Sequence, residues 1–109
     1  MRFHMDIETI EQQIKSDLAV GLYFSAPTCN VCHALKPKLL AAFEKNFSQL
    51  SIISIDISET PEIASHFGVF AIPTLLINLD GKEFLRKSRH MSVDQVVEEI
   101  KRPYDIMTS

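Results

Sequence analysis

Tryptophan is absent from this chain of 109 residues, and only three glycines and two cysteines occur. No arginine-rich run is present, and 14 acidic residues outnumber 11 basic ones, which argues against a nucleic acid or an anionic membrane as the main partner. The longest apolar run, over 18–24, has seven residues, whereas a membrane-spanning helix needs about 20. With 46% hydrophobic residues the chain can still bury a core, and we expect one domain over 1–109.

An export signal is also missing from the sequence pattern. Acidic side chains, among them Asp6, Glu8 and Glu11, interrupt the first twenty residues, where a signal peptide needs a basic start and a continuous apolar stretch. We therefore expect a cytoplasmic protein. In that reducing compartment a pair of cysteines is more often catalytic or metal-binding than a structural disulfide.

Hydrophobic periodicity predicts eight elements in the order α-β-α-β-α-β-β-α. They are a first helix capped by Asp6, a strand over 18–25, a helix over about 29–47 that contains Pro37, a buried strand over 51–57, a short helix opening at Thr60-Pro61, two strands over 74–79 and 82–87, and a last helix that Ser92 caps and Pro103 ends. The apolar stripe of the long helix is predicted to include Leu39 and Leu40.

The connections between these elements determine the fold class. A strand-helix-strand unit requires a right-handed crossover between parallel strands, and the Asp80-Gly81 turn adds an antiparallel hairpin. The prediction is an α/β fold in which helices cover both faces of a four-stranded mixed sheet. Reaction sites in such sheets lie at the carboxyl end of a central strand, which is where Cys29 and Cys32 fall.

Three motifs spaced along the chain point to a known family. The first apolar strand runs into Cys29-Asn30-Val31-Cys32, Pro37 follows five residues later, and Ile72-Pro73-Thr74 opens the next-to-last strand. Together they resemble the thioredoxin family over about residues 18–101. The resemblance implies a thioredoxin-like fold and thiol-disulfide oxidoreductase activity in electron transport.

The chemistry of the cysteine pair agrees with that resemblance. A cysteine at a helix N-terminus meets unpaired N–H groups and the positive end of the helix dipole, which stabilise its thiolate, so Cys29 is the expected nucleophile. Cys32 is then expected to attack the mixed disulfide that Cys29 forms with a substrate. The expected partners are protein disulfides and an unidentified reductant. We expect the protein to be a monomer and to need neither a metal nor an organic cofactor.

The resemblance also assigns residues to substrate binding. Family members carry a cis proline at the position of Pro73, and the backbone of the preceding residue, Ile72 here, pairs with an extended substrate. The other expected substrate contacts are Thr28, Asn30 and Val31 beside the cysteines, and Arg89 in the loop after the last strand.

Five departures from the family pattern affect the same site. Thr28 replaces the usual tryptophan, and Asn30-Val31 is an atypical dipeptide between the cysteines. Tyr23 stands where the family has a buried aspartate, and Ser54 matches the lysine near it, so the usual proton route to the second cysteine is missing. Arg89 replaces a glycine. Residues expected to tune the site are Tyr23, His33 and Pro37.

The sequence leaves alternatives open. The main one is a non-catalytic thioredoxin-fold module that binds proteins, which the lost tryptophan, aspartate and lysine favour and the retained cysteines and Pro73 oppose. A glutaredoxin-like activity is less favoured because no glutathione-binding signature is evident. His33 either lies near Cys29 and favours its thiolate or simply faces solvent.

Two metal-centred alternatives also share the cysteine pair. Cys29 to His33 fits the C-x-x-C-H pattern of c-type haem attachment, but such proteins are exported and mainly helical. Two thiolates and His33 supply three zinc ligands, and no second motif supplies a fourth. The sequence therefore favours a redox pair without a metal.

Overall fold

A computed structural model describes residues 6–109, so five residues of the domain expected over 1–109 lie outside the described range. The elements follow the predicted order. They are α1 (Ile7–Ser16), β1 (Ala19–Ser25), α2 (Asn30–Asn46), β2 (Leu50–Asp56), α3 (Pro61–His66), β3 (Thr74–Leu79), β4 (Lys82–Ser88) and α4 (Val93–Thr108). As predicted, the side chains of Asp6 and Ser92 cap α1 and α4 by accepting hydrogen bonds from backbone N–H groups of the first turn.

The four strands form one mixed sheet in the order β2-β1-β3-β4. β1 pairs in parallel with β2 and antiparallel with β3, and β3 and β4 form the antiparallel hairpin. The hairpin turn contains Asp80 and Gly81, both with positive φ, the conformation that an Asp-Gly turn accommodates well. β1 is thus a central strand, and its carboxyl end leads directly into the segment that holds the cysteines.

Helices cover both faces of the sheet, as predicted. On one face α2 and α4 bury an apolar cluster around Tyr23, Phe43 and Ile100. On the other face α1 and α3 pack over a second cluster around Leu22 and Phe24. Alternate residues of β1 therefore belong to opposite cores, which explains why this strand is apolar along its length.

Two predicted features of burial are wrong. The second predicted strand, now β2, is an edge strand with a partly exposed surface, because only β1 pairs with it. Leu40 is 39% exposed. Leu39 and Phe43 of α2 and its C-cap Phe47 face the core at a spacing of four residues, which turns Leu40 towards solvent.

Pro103 does not end the last helix, contrary to the prediction. α4 continues through it to Thr108, although proline removes one backbone donor and crowds the preceding turn. Tyr104 accounts for the continuation. Its ring packs edge-on against Phe47 with centroids 4.8 Å apart, and its hydroxyl accepts a 2.8 Å hydrogen bond from the Gln49 N–H. The helix α2 likewise runs through Pro37 without interruption.

Candidate active site

The cysteine pair lies where β1 gives way to α2. After Ser25 the chain turns through Pro27 and Thr28, and Cys29 takes an extended conformation as the N-cap of α2. A 3.0 Å hydrogen bond from the Cys29 N–H to the Ala26 carbonyl closes this turn. The Cys29 sulfur accordingly faces the unpaired N–H groups at the start of a helix of 17 residues.

The two cysteines differ in environment. Cys32 is 1% exposed and belongs to the core beneath α2, whereas Cys29 is only partly buried. The Cys32 N–H lies 3.2 Å from the Cys29 Sγ and donates to it. The two residues, with Cα atoms 5.2 Å apart, form a disulfide. Substrate can thus reach Cys29 more readily than Cys32.

Tyr23 contacts the pair through the backbone of α2. Its side chain is 2% exposed, and its hydroxyl donates a 2.8 Å hydrogen bond to the carbonyl oxygen of Cys32. Burial raises the pKa of the Tyr23 phenol above its ordinary value of 10.0, so the phenol is neutral near pH 7. Ser54 is the register partner of Tyr23 on β2, but its side chain is exposed. Neither residue is therefore a base at neutral pH.

His33 contacts the loop before the cysteines. Its Nε2 lies 2.8 Å from the Pro27 carbonyl oxygen, so the ring donates its Nε2–H there and ties this loop to the first turn of α2. The ring is exposed. Of the two functions considered for His33, the geometry supports a solvent-facing residue that also fixes the loop.

Two hydrogen bonds fix the segment around Ile72-Pro73. Its peptide bond is cis. The Arg89 N–H donates a 2.6 Å hydrogen bond to the Pro73 carbonyl, and the Thr74 hydroxyl donates to the Ala71 carbonyl at 2.6 Å. Pro73 is buried and Ile72 is partly buried, in contact with the cluster that contains Cys32.

The remaining expected site residues are exposed. Thr28 and Asn30 flank Cys29 at the surface, and Val31 is 59% exposed. Val31 also lines one end of a groove of about 490 Å³ that runs towards α4 and includes Arg89. The rest of this groove, notably Leu35, His90, Met91 and Val96, was not predicted from the sequence. The only indication of the groove in the sequence was that Arg89, His90 and Met91 directly follow the last strand.

The described part of the chain shows neither a metal cluster nor a membrane-spanning helix. Over residues 6–109 no group of three or more His, Cys, Asp or Glu side chains is arranged to hold a metal ion. Within the same range no helix combines the length and the apolar character needed to cross a membrane.

Comparisons with known proteins agree with this geometry. The thioredoxin family profile matches residues 3–102. A thioredoxin-like protein of Bacillus subtilis, YdfQ, is 36% identical over 96 residues, which cover 88% of this chain and 85% of that protein. The thioredoxin of Listeria monocytogenes is 38% identical over 68% of this chain and 71% of its own length.

A solved structure supports the same assignment. Thioredoxin 1 of Thermosipho africanus superposes with a TM-score of 0.73 at 32% sequence identity, covering 83% of this chain and 99% of that one. The four-stranded mixed sheet with helices on both faces is therefore the thioredoxin fold. With its Cys29-Cys32 disulfide at the start of α2, this chain belongs to the thioredoxin family and is a thiol-disulfide oxidoreductase of that family.

Proposed function

We propose that this protein reduces disulfides in other proteins, with Cys29 as the attacking residue and Cys32 as the resolving residue. The observation that carries the proposal is the asymmetry of the pair. Cys29 is partly exposed at the N-cap of a long helix, while Cys32 is buried one turn further along. Of the two cysteines, only Cys29 is accessible to a substrate in this conformation.

The first step uses the reduced protein. The Cys29 thiolate attacks one sulfur of the substrate disulfide, that S–S bond breaks, and the expelled substrate thiolate takes up a proton. A mixed disulfide between Cys29 and the substrate results. On reduction, the helix dipole and the Cys32 N–H that lies 3.2 Å from the Cys29 Sγ favour the Cys29 thiolate over the thiol.

The second step releases the substrate. Cys32 loses its proton and attacks the Cys29 sulfur, the mixed disulfide breaks, and the second substrate thiolate leaves and is protonated. Two electrons have passed to the substrate, and Cys29 and Cys32 end in the disulfide form seen here. An external dithiol must reduce that disulfide again before another turnover. Both electrons come from the two thiols, so the exchange needs no other cofactor.

Substrate orientation is assigned to the segment beside Pro73. We infer that the Ile72 backbone pairs with an extended stretch of substrate and brings its cysteine to Cys29. Hydrogen bonds from Arg89 to the Pro73 carbonyl and from Thr74 to the Ala71 carbonyl support a fixed conformation for this segment. Thr28, Asn30 and Val31 supply the exposed surface next to Cys29.

The setting of the reaction is part of the same proposal. We infer that residues 1–109 act as one domain and as a monomer in the reducing cytoplasm, where protein disulfides are transient and a dithiol reductant is at hand. There the protein transfers electrons from that reductant to protein substrates.

The experiment is dithiothreitol-driven reduction of insulin, followed by the turbidity of the released chains. We expect the wild-type chain to accelerate the reaction and Cys29→Ser to abolish the acceleration. Ala41→Ser, which adds a hydroxyl on the exposed side of α2, is the matched control and should keep full activity. Equal rates with and without wild-type protein would contradict the proposal that it reduces disulfides in other proteins.

A further inference from the structure

The groove that starts at Val31 has an apolar floor and a basic rim. Leu35, Met91 and Val96 line its floor, and Lys87, Arg89 and His90 stand along its edge. We call it the α4 groove. It lies next to the reactive pair, because Val31 is between the two cysteines and the Arg89 N–H is bonded to the Pro73 carbonyl.

The charge of the α4 groove is opposite to that of the protein. The whole chain carries a formal charge of −3, yet none of the described residues that line the groove is acidic. The Nζ atom of Lys87 is 3.1 Å from a carboxylate oxygen of Glu99, which partly neutralises that lysine. Within residues 6–109 Arg89 makes no ion pair, so its guanidinium is available to a partner.

The start of α4 adds to this preference. Ser92, the N-cap, and Gln95, in the first turn, both line the groove. The N-terminal end of a helix of 16 residues carries partial positive charge. Asp94 in the same turn offsets part of this charge, so the Arg89 guanidinium is the main group that favours negative charge here.

We propose that the α4 groove binds an acidic segment of the substrate protein, next to the cysteine that Cys29 attacks. The proposal rests on the function proposed above and adds a substrate class: disulfide proteins with Asp or Glu residues flanking the target cysteine. An apolar substrate side chain packs on the floor at Leu35 and Met91, and a neighbouring carboxylate pairs with Arg89.

Charge complementarity at an exposed rim acts mainly on the association rate, and salt screens it. The acidic preference is therefore a property of the first step, mixed-disulfide formation at Cys29. The second step, in which Cys32 displaces the substrate, involves atoms inside the protein and is insensitive to the charge of the substrate flank.

The test uses the dithiol-reduced full chain and three synthetic peptides that share one intramolecular disulfide, flanked by glutamates, glutamines or lysines. The bimolecular rate constant of reduction is measured at low and high salt. We expect the glutamate peptide to react about tenfold faster than the lysine peptide at low ionic strength. In about 0.5 M NaCl the ratio should fall to about twofold, because the Debye length is then only a few ångströms.

Variants localise the effect. Arg89→Gln should lower the glutamate-to-lysine ratio about threefold, whereas Arg89→Lys should retain the ratio. Lys101→Gln makes the same change in net charge on α4 outside the groove and should also retain it.

The outcomes separate this inference from the proposed function. Equal rates for all three peptides, or an Arg89→Gln effect of the same size on each, would overturn the acidic preference and leave the reductase activity standing. If the glutamine peptide is not reduced at all, the proposed function fails and the acidic docking site fails with it.

Discussion

The Tyr23 hydroxyl donates a 2.8 Å hydrogen bond to the carbonyl oxygen of Cys32. The residue that stands where the family has an aspartate thus contacts the backbone of Cys32. It connects the central strand β1 to the first turn of α2 inside the core. Tyr23 therefore fixes the first turn of α2 through a main-chain atom, and its raised pKa keeps the hydroxyl protonated at neutral pH.

Removal of that hydroxyl should destabilise the protein. Tyr23→Phe leaves the Cys32 carbonyl without this buried donor, and we expect the free energy of unfolding to fall by about 1 kcal/mol. The measurement is urea denaturation of the oxidised protein. Tyr104→Phe is the matched comparison, because it removes a 2.8 Å bond to the Gln49 N–H far along the chain from the cysteines. Unchanged stability in Tyr23→Phe would contradict the assigned bond.

The pH dependence of the resolving step should not depend on Tyr23. The phenol has a pKa above 10.0, so it neither gains nor loses a proton between pH 6 and 9. We therefore expect the apparent pKa of mixed-disulfide resolution in Tyr23→Phe to match that of the wild type. Stopped-flow resolution of a preformed Cys29 mixed disulfide measures it. A shift of about one pH unit or more would show that Tyr23 takes part in proton transfer.

Arg86 should stabilise the fold more than its surface position suggests. Its guanidinium donates to the carbonyls of Phe67 and Gly68 at 2.8 and 3.0 Å, and it also pairs with Glu83 at 2.8 Å. These hydrogen bonds connect the carboxyl end of α3 to β4. We expect Arg86→Met to lower the free energy of unfolding by about 1 kcal/mol at pH 7, after allowance for its exposure. A loss just as large in Glu83→Gln would contradict the role of the two carbonyls.

The ion pair between Arg86 and Glu83 should also affect how the stability of the protein changes in acid. Hydrogen bonding from Arg86 lowers the pKa of Glu83 below its ordinary value of 4.5. The pair therefore stabilises the fold above pH 4.5, and its contribution is lost as the pH falls through the folded-state pKa. As the pH falls from 6 to 3, Arg86→Met should therefore lose less stability than the wild type. Urea titrations over this pH range would reveal the difference.

Pro103 should destabilise α4, the helix that continues through it. Proline inside a helix is about 3 kcal/mol less favourable than alanine, and the reduced freedom of the unfolded chain offsets up to about 1 kcal/mol of this. We expect Pro103→Ala to raise the free energy of unfolding by about 2–3 kcal/mol. A thermal or urea unfolding curve tests this. A lower stability would mean that α4 depends on the ring of Pro103 for packing.

The parts of the fold that depend on local pattern could be predicted from the sequence. Apolar periodicity gave all eight elements, and the Asp80-Gly81 turn specified the hairpin. The position of Cys29 and Cys32 at the carboxyl end of a central strand followed from the connections. Capping by Asp6 and Ser92 is equally local.

Features that depend on contacts distant in sequence could not be predicted. The local signal at Pro103 favours a helix end, but packing of Tyr104 against Phe47 overrides it. Nothing local to Arg86 indicates that it binds carbonyls 18 and 19 residues away. The α4 groove likewise exists only because the segment after β4 lies beside the start of α2.

The central claim is that Cys29 attacks and Cys32 resolves, and trapping tests it most directly. Reduced Cys32→Ser is mixed with a protein disulfide substrate, quenched with acid and analysed by mass spectrometry under non-reducing conditions. We predict a stable mixed disulfide mapped to Cys29, since the attacking thiol remains and the resolving thiol is gone. Cys29→Ser, which retains the buried Cys32, should give almost none. A substrate adduct mapped to Cys32 in Cys29→Ser, with none on Cys29 in Cys32→Ser, would contradict the account.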